Sequence, residues 1–359
     1  MTFRIIAPSA AALLIALGAS AQAGPTAQIF ATGTAVGGTQ PDSVTIGGGS
    51  VWIEYGNGAS STLPPGTDGS GTIVQYSPGG AVQHTYSIAG SVDGLKYDPV
   101  TGKVWALQNQ DDNSTLSIID PTTHTVSGPL SYGAPYVYGS SSSRGYDDVA
   151  FLGGKVFLSY TNPAAATDSV LQTLDQANTP SGTLTTTSIL TAAQEGVPFP
   201  PGPDTDSLKS TPSGQLVLTS GADGSFTLIT NPGGGLTQTE TTIQVTSGGV
   251  NATSLDDVLF PTESSGTLFF TNTGGNDVLK LHLTGLSLDT PIVALGGSLN
   301  ELAFVDLATG VATPLVTGLS SPHGIEFSAP EPSTWALMLL GFAGLGFAGY
   351  RRAKAVVAA

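Results

Sequence analysis

The sequence predicts an all-β protein, a β-propeller of four-stranded blades. Three observations lead to this prediction: a short phrase recurs along the chain, its spacing suits one blade, and tight turns separate the strand patterns that follow each copy. Propeller blades are four-stranded sheets repeated around a central channel, so a period near 50 residues with regular turns is their expected pattern. We predict six blades, with seven as the alternative.

Each copy of the phrase has an acidic residue or histidine, then a small or acidic residue, then an apolar one. A tight turn and a strand rich in β-branched and aromatic residues follow most copies, which is the pattern of a hairpin. The copies are PDSVTI (41–46), VDGLKYD (92–98), YDDVAF (146–151), TDSLKS (205–210), LDDVLF (255–260) and PHGIEF (322–327).

Measured at the acidic or histidine position, the copies are 50 to 67 residues apart. The widest gap precedes the last copy, and the segment 291–315 inside it could be a further unit. The blade count therefore stays open between six and seven. We expect the last copy to close the ring beside residues 28–33. A two-sheet β-sandwich array is the alternative architecture.

The body of the chain is acidic and contains no cysteine. The formal net charge of the whole chain is −16, and residues 24–329 contain only 6 Lys and Arg against 25 Asp and Glu. This imbalance argues against a nucleic acid bound through its phosphates, and it suits a surface protein or one that collects cations. Because no disulfide can form, stability must come from packing.

The N-terminal segment predicts export. Arg4 is followed by an apolar run, which ends in small residues at Ala21 and Ala23, directly before Gly24. This is the pattern of a secretory signal peptide cut by signal peptidase between Ala23 and Gly24. Residues 1–23 are therefore predicted to be a signal helix that takes no part in the fold.

A second apolar segment without charges, 335–350, lies near the C-terminus. As a helix it would be about 24 Å long at about 1.5 Å per residue, which is short for a bilayer core of about 30 Å. Cations at 351–354 would hold its end on the cytoplasmic side of a membrane. We predict a transmembrane helix at 335–350 with a basic stop at 351–354.

Pro330-Glu331-Pro332, the apolar segment and Arg351-Arg352 follow one another in this order at the end of the chain. This tail resembles the PEP-CTERM sorting tail of Gram-negative bacteria. The resemblance implies processing by an exosortase, a membrane transpeptidase, and delivery to the membrane, the cell surface or the extracellular matrix. The family is associated with exopolysaccharide and biofilm production. The resemblance implies nothing about the activity of the body.

The chain is thus divided into a signal peptide (1–23), a propeller body (24–329) and a sorting tail (330–359). Over 28–328 the body resembles the broad group of secreted propellers that includes NHL-type and lactonase-like repeats. That resemblance implies the propeller fold, and its lactonase-like members make a metal-dependent hydrolase one functional alternative.

One face of the predicted propeller carries the long connections. In a blade, the connection from the second to the third strand and the connection to the next blade share a face. Long loops on a rigid scaffold usually bear the function, so we expect binding on this face. The long connections are 57–71, 108–114, 133–146, 161–169 and 192–205.

The acidic position of the phrase begins each innermost strand at the same face, beside the channel. Several carboxylates around one channel would offer the oxygen ligands that Ca²⁺ prefers, so Ca²⁺ is a possible cofactor, and the sequence predicts no cofactor with certainty. The alternative is that each aspartate caps a turn by accepting backbone hydrogen bonds. The candidate metal ligands are Asp93, Asp147, Asp206 and Asp256, with Asp42 and His323 completing the ring.

Aromatic side chains cluster in one long connection. Flat amphipathic rings suit stacking on sugars, so this cluster is a candidate for polysaccharide binding. The alternative is that half of these rings pack between blades. The candidate residues are Tyr132, Tyr136, Tyr138, Arg144 and Tyr146, joined by Phe199 in a proline-rich connection.

The sequence shows no catalytic constellation. The histidines are scattered, and the chain has no H-E-x-x-H, no G-x-S-x-G and no cysteine nucleophile. We expect a non-catalytic surface propeller that binds exopolysaccharide or another envelope component. A metal-dependent hydrolase and a purely structural envelope protein are the alternatives. The expected partners are signal peptidase, an exosortase, the membrane and a polysaccharide, but no nucleic acid.

Overall fold

The computed structural model forms a ring of β-sheets around a central channel, and the predicted all-β class is confirmed. Its helices are short: α1 (Gly33–Val36), α2 (Ala192–Glu195) and one 3-10 turn (Thr273–Gly275). The structure describes residues 26–59, 69–108, 114–133, 144–176, 180–195, 204–233, 235 and 237–330.

Strand β1 (Gln28–Thr32) comes first in the chain but joins the last blade. Blades 1 to 4 then follow in order, and in each the strands pair in chain order with the first strand at the channel. Blade 1 contains β2 (Pro41–Gly47), β3 (Ser50–Tyr55), β4 (Ser70–Tyr76) and β5 (Val82–Ala89). Blade 2 contains β6 (Val92–Asp98), β7 (Lys103–Gln108), β8 (Thr115–Asp120) and β9 (Thr125–Ser131). Blade 3 contains β10 (Tyr146–Leu152), β11 (Lys155–Tyr160), β12 (Ser169–Leu174) and β13 (Thr186–Thr191), and blade 4 contains β14 (Thr205–Ser210), β15 (Leu216–Ser220), β16 (Ser225–Thr230) and β17 (Thr239–Gln244).

Blades 5 and 6 are interleaved. Their strands are β18 (Thr246–Ser247), β19 (Val250–Asn251), β20 (Leu255–Leu259), β21 (Ser265–Asn272), β22 (Asp277–Thr284), β23 (Ile292–Leu295), β24 (Glu301–Val305), β25 (Val311–Thr317) and β26 (Pro322–Ser328). After β20 begins blade 5 at the channel, the chain crosses to blade 6 and forms the hairpin β21–β22. It then returns to complete blade 5 with β23, β24 and β25 before β26 begins blade 6.

The ring closes within blade 6, whose strand order is β26, β21, β22, β1 from the channel outward. The last copy of the phrase and the N-terminal strand therefore share a blade, as expected, with the β21–β22 hairpin between them. The segment 291–315, which suggested a seventh blade, forms β23 to β25 of blade 5. The residues that the structure describes form six blades, and the small hairpin β18–β19 extends blade 5 to six strands.

The hydrophobic core lies between the blades. Each of its six clusters joins two neighbouring blades, and together they complete the circle. Second strands are covered on both faces, which explains runs such as VWIEY and KVWAL. Trp52 of blade 1 packs with Leu95 of blade 2, and Trp105 of blade 2 packs with Val149 of blade 3.

The two ends of the channel lie on different faces. We call the face where the inner strands begin the loop face, because the described strands that flank the five connections predicted to be long end and begin there. The opposite turn face carries tight hairpins, such as Gly48–Gly49 with φ of 61° and 72°, which suits a type I′ turn. Strand β1 begins and strand β26 ends at the turn face. Both ends of the described body therefore leave from the turn face.

The two predicted terminal helices, at 1–23 and 335–350, lie outside the described residues, as does the predicted cleavage position at Ala21, Ala23 and Gly24. Within the residues that the structure describes, no helix is both long and apolar enough to cross a membrane.

Candidate metal centre

The first position of the recurring phrase forms a ring around the channel at the loop face, which we call the carboxylate ring. Each inner strand contributes one residue near its start. Three of them, from neighbouring blades 2, 3 and 4, lie close together: one carboxylate oxygen each of Asp93, Asp147 and Asp206 is within 4.8 Å of the others. The other half of the ring comprises Asp42, Asp256 and His323.

His323 compensates the charge of its own half of the ring. Its Nδ1 lies 2.6 Å from Asp42 Oδ1 and 3.0 Å from Asp256 Oδ1. Burial alone would lower the pKa of this imidazole, but the charges of Asp256 and Asp42 raise the pKa to about 12. His323 is therefore an imidazolium at neutral pH. Asp256, predicted as a fourth metal ligand, takes part in this ion pair through its Oδ1.

The half formed by Asp93, Asp147 and Asp206 has no such compensation. In the described chain, no Lys, Arg or His lies within ion-pair distance of these three carboxylates. Burial, and then the neighbouring acidic groups, raise the pKa of Asp147 and of Asp206 well above the ordinary range, while burial raises the pKa of Asp93 to about 7. Asp147 is 5% exposed, and its Oδ1 has no hydrogen-bond partner among the described residues.

The second position of the phrase closes the channel below the ring, in what we call the ion-pair layer. Lys209 Nζ lies 2.5 Å from Asp257 Oδ2, which also accepts a hydrogen bond of 2.7 Å from the Ile325 amide. Lys96 Nζ lies 3.8 Å from Asp148 Oδ2 in the same layer. These second carboxylates join neighbouring blades and are structural.

Inner strands approach closely at this level. A Cβ on Gly94 would lie 2.4 Å from the Asp147 carbonyl oxygen, and a Cβ on Gly324 would lie 2.6 Å from that of Asp42. The cavity between the ring and the ion-pair layer is about 30 Å³, which is room for a water or a single ion but not for an organic ligand. The ring therefore suits a small cation.

A larger pocket of about 210 Å³ lies at the turn-face end of the channel and includes Lys96, Tyr97, Phe151, Lys209 and Glu326 in its lining. Its two ammonium groups already have carboxylate partners in the ion-pair layer. The pocket thus offers no uncompensated charge comparable with that of the ring.

The predicted aromatic cluster is only partly described. Tyr136, Tyr138 and Phe199 lie outside the described residues, and Arg144 is half-buried. Tyr132 and Tyr146 are buried, with ring centroids 4.3 Å apart, in the core between blades 2 and 3. The expectation that these two rings face a ligand is corrected, because their faces are used in packing.

Ser321, His323 and Asp42 have the connectivity of a nucleophile relay, but their charges do not suit one. Ser321 Oγ lies 2.9 Å from His323 Nε2, on the other side of the imidazole from the two carboxylates. A general base needs a pKa near the working pH, whereas the two carboxylates keep His323 protonated. The arrangement is an ion pair rather than a source of an activated serine.

Glu54 is a buried acidic residue that the sequence interpretation missed. It is 0% exposed in blade 1, and neither of its carboxylate oxygens has a hydrogen-bond partner among the described residues. Burial, followed by the charges of Asp42 and Asp93, raises its pKa well above the ordinary range. The signal in the sequence is an acidic residue inside the apolar second strand VWIEY.

Residues 328–352 match the PEP-CTERM protein-sorting motif. The match includes the predicted sorting residues Pro330, Glu331, Pro332, Arg351 and Arg352. The motif implies export and sorting to the membrane or surface, with an exosortase as the general processing partner. A comparison with curated proteins finds no match.

Several solved structures are similar to this chain in fold, at low sequence identity. The periplasmic gluconolactonase of Pseudomonas aeruginosa is 15% identical, with a TM-score of 0.47 over 80% of this chain and 88% of that one. A streptogramin B lyase is 12% identical, with a TM-score of 0.46 over 85% and 94% of the two chains. A protein of unknown function from Bacteroides caccae is 9% identical, with a TM-score of 0.48 over 79% and 85%. These similarities say nothing about activity.

Proposed function

We propose that this exported protein is a non-catalytic surface propeller that binds Ca²⁺ in its carboxylate ring and an envelope polysaccharide on its loop face. The observation that carries the cation site is the division of the ring. His323 compensates Asp42 and Asp256, while Asp93, Asp147 and Asp206 gather three carboxylates within 4.8 Å without a protein cation.

Charge balance favours a divalent cation at this site. Three carboxylates that face one another cannot all ionise cheaply in a buried site, so they must hold protons or surround a cation. Ca²⁺ takes six to eight oxygen ligands in flexible geometry. Three carboxylates leave coordination positions for water and for groups of the loop face. Mg²⁺ suits the site less well because it demands nearly ideal octahedral geometry.

Thermal unfolding of the full-length chain, purified in a mild detergent, tests the cation site. We expect Ca²⁺ to raise the Tm relative to chelator, since a ligand at about 100 times its Kd adds about 2.7 kcal/mol to the free energy of unfolding. Asp147→Asn should reduce this increase strongly, because it removes the most buried of the three carboxylates without changing its size.

The matched control is Asp289→Asn, which removes an exposed carboxylate in the connection between β22 and β23. This variant should respond to Ca²⁺ like the wild type. An equal Tm with Ca²⁺ and with chelator would rule out the cation site and leave the aspartates as turn caps.

The polysaccharide part of the proposal is supported by the sorting motif and by the long connections on the loop face. Tyr136 and Tyr138 are its best remaining candidates, since Tyr132 and Tyr146 are buried. Wild-type protein should cosediment with exopolysaccharide from its host, and the double change of Tyr136 and Tyr138 to Ala should weaken binding at least fivefold. Equal binding by both proteins would remove these tyrosines from the proposal.

A metal-dependent hydrolase is the second candidate, because a cation with open coordination positions can polarise a carbonyl. The cavity of about 30 Å³ beside the ring would require the substrate to enter from the loop face. Lactone turnover that needs Ca²⁺ and disappears in Asp147→Asn would replace the non-catalytic proposal with this one.

A further inference from the structure

The residue one place before the end of the second strand has the same role in three of the six blades. In blades 3, 4 and 6 it is Ser or Thr, and its hydroxyl donates to the carbonyl oxygen of the ring residue in the next blade, whereas blades 2 and 5 have the apolar residues Leu107 and Ala294 there. These hydrogen bonds are Ser159 Oγ to Asp206 O at 2.8 Å, Thr219 Oγ1 to Asp256 O at 3.2 Å, and Thr271 Oγ1 to Asp42 O at 2.6 Å. In these three blades the hydroxyl of the second strand thus holds the backbone of the neighbouring ring residue in place.

Blade 1 has an acidic residue at this position. Glu54 is larger than Ser or Thr, and its carboxylate oxygens have no hydrogen-bond partner among the described residues. The carbonyl oxygen of Asp93, the ring residue of the next blade, accepts a hydrogen bond from Ser43 Oγ instead. The structural task is therefore done by another side chain, which leaves the buried carboxylate of Glu54 without a structural role.

The burial of the Glu54 carboxylate lowers the free energy of unfolding. A buried carboxylate without hydrogen-bond donors is destabilising, and the negative charges of Asp42 and Asp93 add repulsion. Oε1 lies 3.0 Å from the position that a Cβ on Gly71 would occupy, so the absence of a side chain at Gly71 makes room for it. A nearby cation would turn this unfavourable charge into a favourable one.

We propose that Glu54 is a positioning residue of the central site, where it adds a fourth negative charge behind Asp93 and makes the site selective for a divalent over a monovalent cation. This inference rests on the proposed Ca²⁺ site. Asp93, being both a ring ligand and a neighbour of Glu54, links the two. A further negative charge near a ligand attracts a divalent cation more strongly than a monovalent one, because the Coulomb energy scales with the charge of the ion.

Glu54→Gln tests the inference in the full-length chain, because glutamine keeps the shape and removes the charge. We expect at least a tenfold higher Kd for Ca²⁺ by calorimetric titration. We also expect a higher Tm in chelator at neutral pH, because burial raises the pKa of Glu54 in the fold and glutamine removes the stability lost when the unfolded chain ionises this group. The matched control is Glu195→Gln, the same change at another 0% exposed glutamate whose carboxylate oxygens lack partners among the described residues and whose charged neighbour is Asp223.

The control should also raise the Tm in chelator but leave the Kd unchanged. A Kd for Glu54→Gln within twofold of wild type would overturn the inference while the Ca²⁺ site stands. A lower Tm in chelator with an unchanged Kd would make Glu54 a packing residue. If the wild type itself binds no Ca²⁺, the proposed function fails and this inference fails with it.

Discussion

A single histidine determines how the carboxylate ring is divided. His323 stands where five other blades have aspartate, and it pairs with Asp42 on one side and Asp256 on the other. With six aspartates, no part of the ring would be compensated by the protein. With His323, one half of the ring has a cation between its two carboxylates, and the half without a cation is confined to three neighbouring blades.

Buried carboxylates away from the ring give the protein a pH dependence of their own. The pKa of Glu195 is raised to about 8 by burial and then by the charge of Asp223. Its folded pKa lies above its unfolded pKa, so its contribution to stability is greatest below pH 4.5 and is lost as the pH rises through about 8. At about 1.4 kcal/mol per pKa unit, the upper bound of this loss is several kcal/mol.

Glu195→Gln should therefore flatten the decrease of stability between pH 5 and pH 8. Denaturant unfolding in chelator at several pH values measures this effect as the difference between the two proteins. The variant should gain stability over the wild type at pH 8 and differ least at pH 5. Parallel curves would show that Glu195 ionises as easily in the folded chain as in the unfolded one.

At the scale of elements, strand β1 completes the ring with few residues. Phe30 is 8% exposed, with its ring centroid 4.9 Å from Phe269 of blade 6 and 5.6 Å from Tyr76 of blade 1. Its neighbour Ile29 is 62% exposed. One aromatic side chain from β1 thus joins the last blade to the first.

Phe30→Ala should lower the free energy of unfolding by about 3 to 5 kcal/mol, the usual cost of removing a buried phenylalanine. Ile29→Ala in the same strand should change it by less than about 0.5 kcal/mol, as surface substitutions generally do. Denaturant unfolding of both variants measures the comparison. Similar losses for the two variants would contradict the packing of β1 described above.

The prediction from sequence was most successful where one residue per blade repeats. The phrase marks the start of every inner strand, and the propeller brings these starts to one channel, so the ring residues could be found without a structure. Glu54 was not predicted as a candidate residue, because its role depends on which hydrogen-bond donors surround its carboxylate, and the sequence does not show them. The packing of some tyrosines between blades was one of the two alternatives, but the sequence could not decide that Tyr132 and Tyr146 are buried, because a tyrosine at the end of a strand has the same local sequence pattern whether it packs or is exposed.

At the scale of the whole molecule, the order of the strands in blades 5 and 6 could not be read from the chain. Sequential hairpins are the usual arrangement, and the β21–β22 hairpin looks like the continuation of its own phrase at 255–260. Its place in blade 6 is decided by pairing with β26 and β1, which lie far away in sequence. The wide spacing before the last phrase reflects this exchange rather than a seventh blade.

Because β1 begins and β26 ends at the turn face, an attachment through the sorting tail would join the propeller to the cell by that face. In that arrangement the carboxylate ring would open toward the surrounding medium. Its occupancy would follow the mineral content of the environment instead of the ion composition inside the cell. A protein held in this orientation would carry its loop face outward, where neighbouring cells and their secretions can reach it.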